Sequence, residues 1–344
     1  MPKTLTKKRM IINIIISLIV LLIVTSLCAT TGTQKISLRN ALSGPGAEPG
    51  DNIDYEIFII RLTRVLLAVI VGAALACSGV VLQAILKNPL ADPYILGISS
   101  GAGLGAVIAM LVPGITLGFL GGLPIATFAF TGAIITVSLV WFIGYFSGRS
   151  QVTSLLLAGV VINAFFSAII MLLTLIIKTE QLRSTMYWLM GNIPEKQNTL
   201  LLFSCGSFVI IGIIVLWRIS NSLNIITLGE YESKGLGIDT EKTKLIAFSF
   251  AAFITAVAVS ISGLIGFVGL IVPHAIRLIF GPDHRQLIPL SAIYGGIFLA
   301  IADTIARTAF GQEQLPVGVI TAVTGGPFFL ILLARYTRKV SWMK

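Results

Sequence analysis

The sequence predicts an all-α polytopic membrane protein with about ten transmembrane helices. Hydrophobic residues make up 56% of the 344-residue chain and charged residues 11%, where a soluble domain carries about one quarter. Apolar runs of spanning length recur between clusters of charge, glycine and proline. Glycine is abundant at 34 residues, which suits helices that pack closely in lipid. The net charge of +10 is scattered over loop ends without interleaved aromatics, so it does not indicate nucleic-acid binding.

The first span, 10–30, follows a basic start. Its apolar run is too long for a signal-peptide core, and Leu27 spoils "TSLC" as a lipoprotein cleavage box, so it reads as a retained helix. The second, 59–86, is headed by Arg61 and Arg64, whose spacing puts both guanidiniums on one helix face. The third, 94–112, contains "GISSGAGLG". There Gly97, Gly101 and Gly105 recur at four-residue steps and leave one helix face as bare backbone for close packing. No lysine follows, so the stretch fails as a phosphate loop. Spans 124–146, 152–177, 199–219 and 244–262 follow from length and apolarity. The eighth and ninth, 266–281 and 286–304, are predicted to be short and interrupted by Gly, Pro and small polar residues. Such helices are tolerated where protein or a cavity surrounds them. Span 317–336 completes the ten, within a single domain over 1–344 that shows no clean internal repeat.

An even number of spans puts both termini on one side. That side holds 16 of the 24 lysines and arginines and the opposite side 8, which predicts cytoplasmic termini. Arg61, Arg64 and Arg307 then lie outside, against the usual bias. Two loops exceed turns. Residues 183–198 lie outside and suit a short interfacial helix. Residues 219–243 lie inside, and their Leu/Ile spacing and Gly-Leu-Gly break predict two short helices or a solvated loop.

Several chemistries lack their residues. No GxxxxGK[ST] occurs, and no spanning segment carries paired carboxylates or a Ser/His/Asp set. The chain therefore reads as a non-enzyme. Asp303 is the deepest acid, and Arg307 one turn later can satisfy it. Cys28, Cys77 and Cys205 have no paired spacing and read as packing residues. His274 in "PHAIR" reads as a structural corner, with no second ligand in place to make a metal or haem site. A secondary transporter or channel working alone is the alternative function, disfavoured by the lack of intramembrane acid pairs.

Long stretches carry a resemblance. "RLTRVLLAVIVGAALACSGVVLQAILKNPLADPYILGISSGAGLGA", "LLLAGVVINAFFSA", "YWLMGNI" and the segment 263–333 closely resemble the iron-siderophore, haem and vitamin B12 permeases of ABC importers. They run in order from residue 59 to the C-terminal region, whereas residues 1–58 match only in character. The resemblance implies a multi-pass permease of the bacterial cytoplasmic membrane. It implies a second permease copy (the same chain or a paralogue), two ATPase subunits below and a substrate-binding protein above. The cargo would be an iron chelate such as a ferric siderophore, haem or cobalamin. The chain itself would hold no cofactor or metal, ATP and Mg residing on the ATPase.

The resemblance also implies residue roles. Arg61, Arg64 and Arg307 match arginines that face acidic residues of the binding protein. A guanidinium is a permanent, planar donor fork for carboxylates, and in a wet rim such pairs steer docking. Simple interfacial anchoring is the alternative. Leu228, Gly229, Glu230, Ser233, Gly235, Leu236 and Gly237 match the segment that couples to the ATPase. Asn88 and Leu90 after the second helix, with Val152 and Thr153 before the fifth, match the cytoplasmic gate. Val152 departs from a polar residue in the B12 importer.

Overall fold

The computed structural model describes residues 6–46, 50–112, 123–146, 151–195, 199–311 and 314–341, and among them every regular element is helical. In chain order the helices are α1 (Lys7–Thr30), α2 (Leu38–Leu42), α3 (Ile53–Ile85), α4 (Ile98–Leu111), α5 (Leu123–Phe146) and α6 (Gln151–Thr174). There follow α7 (Thr179–Leu189), α8 (Thr199–Arg218), α9 (Ser220–Ile226), α10 (Glu230–Gly235), α11 (Thr240–Ser262), α12 (Val268–Phe280), α13 (His284–Thr308) and α14 (Val317–Ser341). A 3-10 turn, Pro93–Leu96, precedes α4. Among the described residues seven helices are long and apolar enough to cross a membrane. Three shorter apolar helices, Ile98–Leu111, Val268–Phe280 and Val317–Ile331, bring the number to the predicted ten.

The core forms around α3, which packs against α1, α8, α11, α12 and α13. Glycines set the closest approaches. A Cβ at Gly72 would overlap the carbonyl oxygen of Gly295 on α13, and one at Gly79 would overlap that of Gly269 on α12. A second group of helices, α4, α5 and α6, packs together and leans on α11. Here Gly101 and Gly105 abut the carbonyls of Gly132 and Phe128 on α5, as the glycine face predicts. Gly97 departs from that expectation. It is not helical but stands at φ +74° between the 3-10 turn and α4, a conformation that glycine adopts without steric cost.

Three boundaries correct the sequence reading. First, α3 begins six residues before the predicted span. The side chain of Asn52 caps it, accepting from the Tyr55 amide at 3.1 Å, and Asp54 and Glu56 suit the positive end of the helix dipole. Arg61 and Arg64 therefore sit two to three turns inside a helix rather than at its mouth. Second, α13 is a full 25-residue helix where a short, interrupted one was predicted. Pro289 frees the carbonyl of Arg285, and the Trp217 indole donates to that oxygen at 2.8 Å. The same repair serves α12, where Pro273 frees the carbonyl of Gly269 and Gln83 Nε2 donates to it at 3.3 Å. Third, the short helix expected within 183–198 is α7, over 179–189. The chain runs irregularly from 190 to 195, and residues 196–198 lie outside the described residues. The two short helices predicted within 219–243 are α9 and α10.

Candidate functional site

Two candidate surfaces lie at opposite ends of α3 and α13. At one end, a cavity of about 320 Å³ is lined by Arg61, Arg64, Arg307, Glu195, Gln314 and the backbone around Gly32. Behind its arginines lies Asp303, which has no exposed surface. Arg64 Nε donates to both Asp303 oxygens, at 3.0 and 3.1 Å, across 239 residues of sequence. Arg307 Nε donates to Oδ2 at 3.1 Å from one turn along α13. One carboxylate thus carries two guanidiniums, which satisfies the need of buried charge for opposite charge and hydrogen bonds.

Other donors of Arg307 and Arg61 reach the roof. Arg307 donates to the carbonyls of Cys28 at 3.2 Å and Thr31 at 3.4 Å, at the end of α1. Among the described residues Arg61 has no carboxylate within 4 Å. It donates to the carbonyls of Gln34 at 2.8 Å and Thr30 at 3.5 Å. A Cβ at Gly32 would strike the Arg61 guanidinium, so a glycine is required for that side chain to lie under the loop. Arg64 reaches Gln314 Oε1 at 2.8 Å and Glu195 Oε1 at 3.4 Å, and Gln314 also donates to Glu195.

Glu195 and Gln314 arrive on short, pinned segments. The Asn192 amide donates to Ser262 O at 2.7 Å, and the Gly318 amide to Gly191 O at 3.1 Å. The Leu315 amide donates to Ala306 O at 3.1 Å, and the Tyr187 hydroxyl to Gln314 O at 3.4 Å. The structure brings Arg61, Arg64 and Arg307 together as the sequence grouped them, but not in a wet rim. Their exposures are 8%, 2% and 8%. Glu195 and Gln314 escaped the sequence reading because only the fold places them beside Arg64. Asp303 was paired there with Arg307 alone.

At the other end lies the α9–α10 segment. Leu228 and Leu236 are 69% and 63% exposed, and Tyr231 is 91% exposed. Tyr231 was not singled out in the sequence, although an aromatic in a polar run is the available signal. Ser233 is wholly buried and donates to Ile225 O at 3.0 Å and to Gly229 O, so it shapes the segment rather than faceting its surface. Gly237 turns the chain at φ +77°, Gly229 precedes α10 and Gly235 ends it. The side chain of Glu230 lies outside the described residues.

Asn224 ties α9 to α13. Its amide nitrogen donates to Asp283 Oδ1 at 2.9 Å, and its oxygen accepts from the His284 amide at 2.9 Å. Asp283 caps α13 through the Arg285 amide at 3.0 Å. Partial burial raises its pKa, but hydrogen bonds from Arg285 and Asn224 outweigh that and hold it at about 2.

The positions that the resemblance assigns to the gate are less connected. The Asn88 side chain accepts from the Leu90 amide at 2.9 Å and sets the turn after α3. The 3-10 turn beyond it packs on α6, where Gly159 admits the Ile95 carbonyl. Thr153 is exposed on the first turn of α6, and the side chain of Val152 lies outside the described residues. The His274 ring meets Phe328 edge-on at 6.3 Å. Among the described residues no group of three or more His, Cys, Asp or Glu side chains could hold a metal ion. Cys28, Cys77 and Cys205 are buried free thiols.

Comparison with known proteins gives one consistent result. The FecCD transport family matches residues 18–335. The chain is 42% identical over 274 residues to the cobalamin import system permease protein BtuC of Halobacterium salinarum, covering 80% of this chain and 72% of that one. It is 39% identical over 330 residues to the hemin transport system permease protein HmuU of Yersinia pestis, covering 92% and 94%. A solved structure described as an inward-facing conformation of a metal-chelate type ABC transporter superposes with a TM-score of 0.80 at 31% identity, covering 94% of this chain and 98% of that one.

Proposed function

Since the chain belongs to the FecCD transport family and is the transmembrane permease of an ABC importer, we propose that its cargo is an iron chelate, haem or a cobalamin. Superposition over nearly the whole of a metal-chelate transporter chain carries this reading. In it, two permease copies, or this chain and a paralogue, enclose the path. Two ATPase subunits bind ATP and Mg below, and an extracytoplasmic binding protein delivers cargo above. Both termini lie in the cytoplasm, a reading supported by the charge imbalance between the two sides.

Each surface has a part in this scheme. Arg61, Arg64 and Arg307 receive acidic residues of the binding protein, and Arg61, bonded only to carbonyls, is the readiest of the three. The apolar crest of Leu228, Tyr231 and Leu236 seats in the ATPase. ATP-driven closure moves that crest, and the bundle rocks between outward- and inward-open states, with the turns at Asn88–Leu90 and Val152–Thr153 as the cytoplasmic gate. The chain does no chemistry on the cargo.

The test is reconstitution of the permease with its ATPase in liposomes, with binding protein loaded in turn with ferric siderophore, haem and cobalamin. One cargo is expected to be taken up with stimulated ATP hydrolysis. Uptake of none of them would reject the cargo assignment. Arg61→Glu is expected to abolish stimulation while the ATPase stays assembled, and an unchanged response would reject the docking role.

A further inference from the structure

We propose that Glu195 is an internal stand-in for a partner's carboxylate, occupying Arg64 until an acid of the binding protein displaces it. This rests on the reading of the outer arginines as the docking face and adds how that face is held when empty. The two carboxylates on Arg64 are unlike. Asp303 is fully buried, takes a bifurcated hydrogen bond from the single Nε–H of Arg64 and another from Arg307, and cannot leave without stranding both guanidiniums. Glu195 is 53% exposed, touches Arg64 through a single oxygen at 3.4 Å, and lies on an irregular segment at the cavity wall. The pair is buried on its Arg64 side and open on its Glu195 side, so a single long contact there is exchanged at far less cost than the Asp303 pair.

The cavity supplies the rest. Three guanidiniums face two carboxylates, so one positive charge is uncompensated before docking and two once Glu195 withdraws. Arg64 Nη2 is 3.0 Å from Asp303 Oδ1 yet is not aligned to donate, which leaves the fork with unused capacity. Gln314 accepts from Arg64 and donates to Glu195, so it holds the stand-in carboxylate in place. An incoming carboxylate thus replaces like with like at Arg64 and adds a new contact at Arg61. Docking is made weaker and more selective by this internal competitor.

Affinity between the detergent-solubilised transporter and its cognate substrate-binding protein tests the idea. Glu195→Gln is expected to tighten binding about two- to fivefold, the range spanned by an exposed ion pair. Glu195→Asp keeps the charge but shortens the reach, and is expected to tighten binding by a smaller factor. Glu56→Gln removes an outer acid that bonds only the Gly50 amide and is expected to change nothing. Unchanged or weaker binding in Glu195→Gln, or equal tightening in Glu56→Gln, would overturn the inference. The docking reading is scored separately, because Arg61→Glu weakens binding about tenfold or more if it holds and leaves binding unchanged if it does not.

Discussion

Asp303 is the residue on which the outer site depends. It is wholly buried and pairs with Arg64 and Arg307 at once. Asp303→Asn should therefore leave two guanidiniums buried against a neutral amide and cost about 3–5 kcal/mol, the price of breaking a buried pair. Thermal unfolding in detergent checks this, and a loss below about 1 kcal/mol would contradict it. The Asp303–Arg307 pairing was legible because it is local, one helical turn. The claim of Arg64 on the same carboxylate was not, since periodicity carries no information across 239 residues. Glu195 was hidden for the same reason. Its immediate sequence, "NIPEK", looks like any polar loop.

At the scale of elements, glycine decides which helices touch and side chains repair what proline breaks. Gly79→Val should force α3 off the Gly269 backbone and destabilise the fold by about 1–3 kcal/mol or more, whereas Gly235→Ala meets open space and should be near neutral. Parallel melting curves distinguish the two. Trp217→Phe removes the donor that serves the carbonyl freed by Pro289. It should loosen the first turns of α13, read as faster amide exchange there. Asp283 adds a pH dependence of known sign. Its carboxyl is held at about 2, so its stabilisation is present above the ordinary carboxylate pKa of about 3.9 and lost as pH falls through about 2. The stability difference between the wild type and Asp283→Asn should thus be constant above about pH 5 and shrink toward pH 2. The spans were legible because length and apolarity suffice in lipid. The full length of α13 was not, because its proline predicts a break unless a partner for the freed carbonyl is known in advance. The left-handed Gly97 was likewise read as part of a glycine face, since a four-residue step does not reveal which member lies outside the helix.

At the scale of the whole molecule, the two candidate surfaces lie at opposite ends of the same two helices. The family was legible from residue 59 onward because several long motifs occur in order, and the ten spans were legible along the whole chain from length and apolarity. What the sequence could not show was the state of the outer arginines, which are already engaged by their own chain. If the α9–α10 crest seats in the ATPase, Tyr231→Asp should reduce assembly with the ATPase about tenfold or more without changing the melting of the permease, since the side chain is 91% exposed. Co-purification measures it, and undiminished assembly would exclude Tyr231 from the contact. The seam between Gly72 and Gly295 has a mechanical consequence. Gly295 lies near the middle of the 25 residues of α13, where backbone meets backbone with no side chain between. One arm of α13 ends at the Asn224 clamp, and the other at Asp303 and Arg307, on a rod of about 37 Å. A tilt of α13 about that seam would swing the two arms in opposite senses, the Asn224 end one way and the Asp303 end the other.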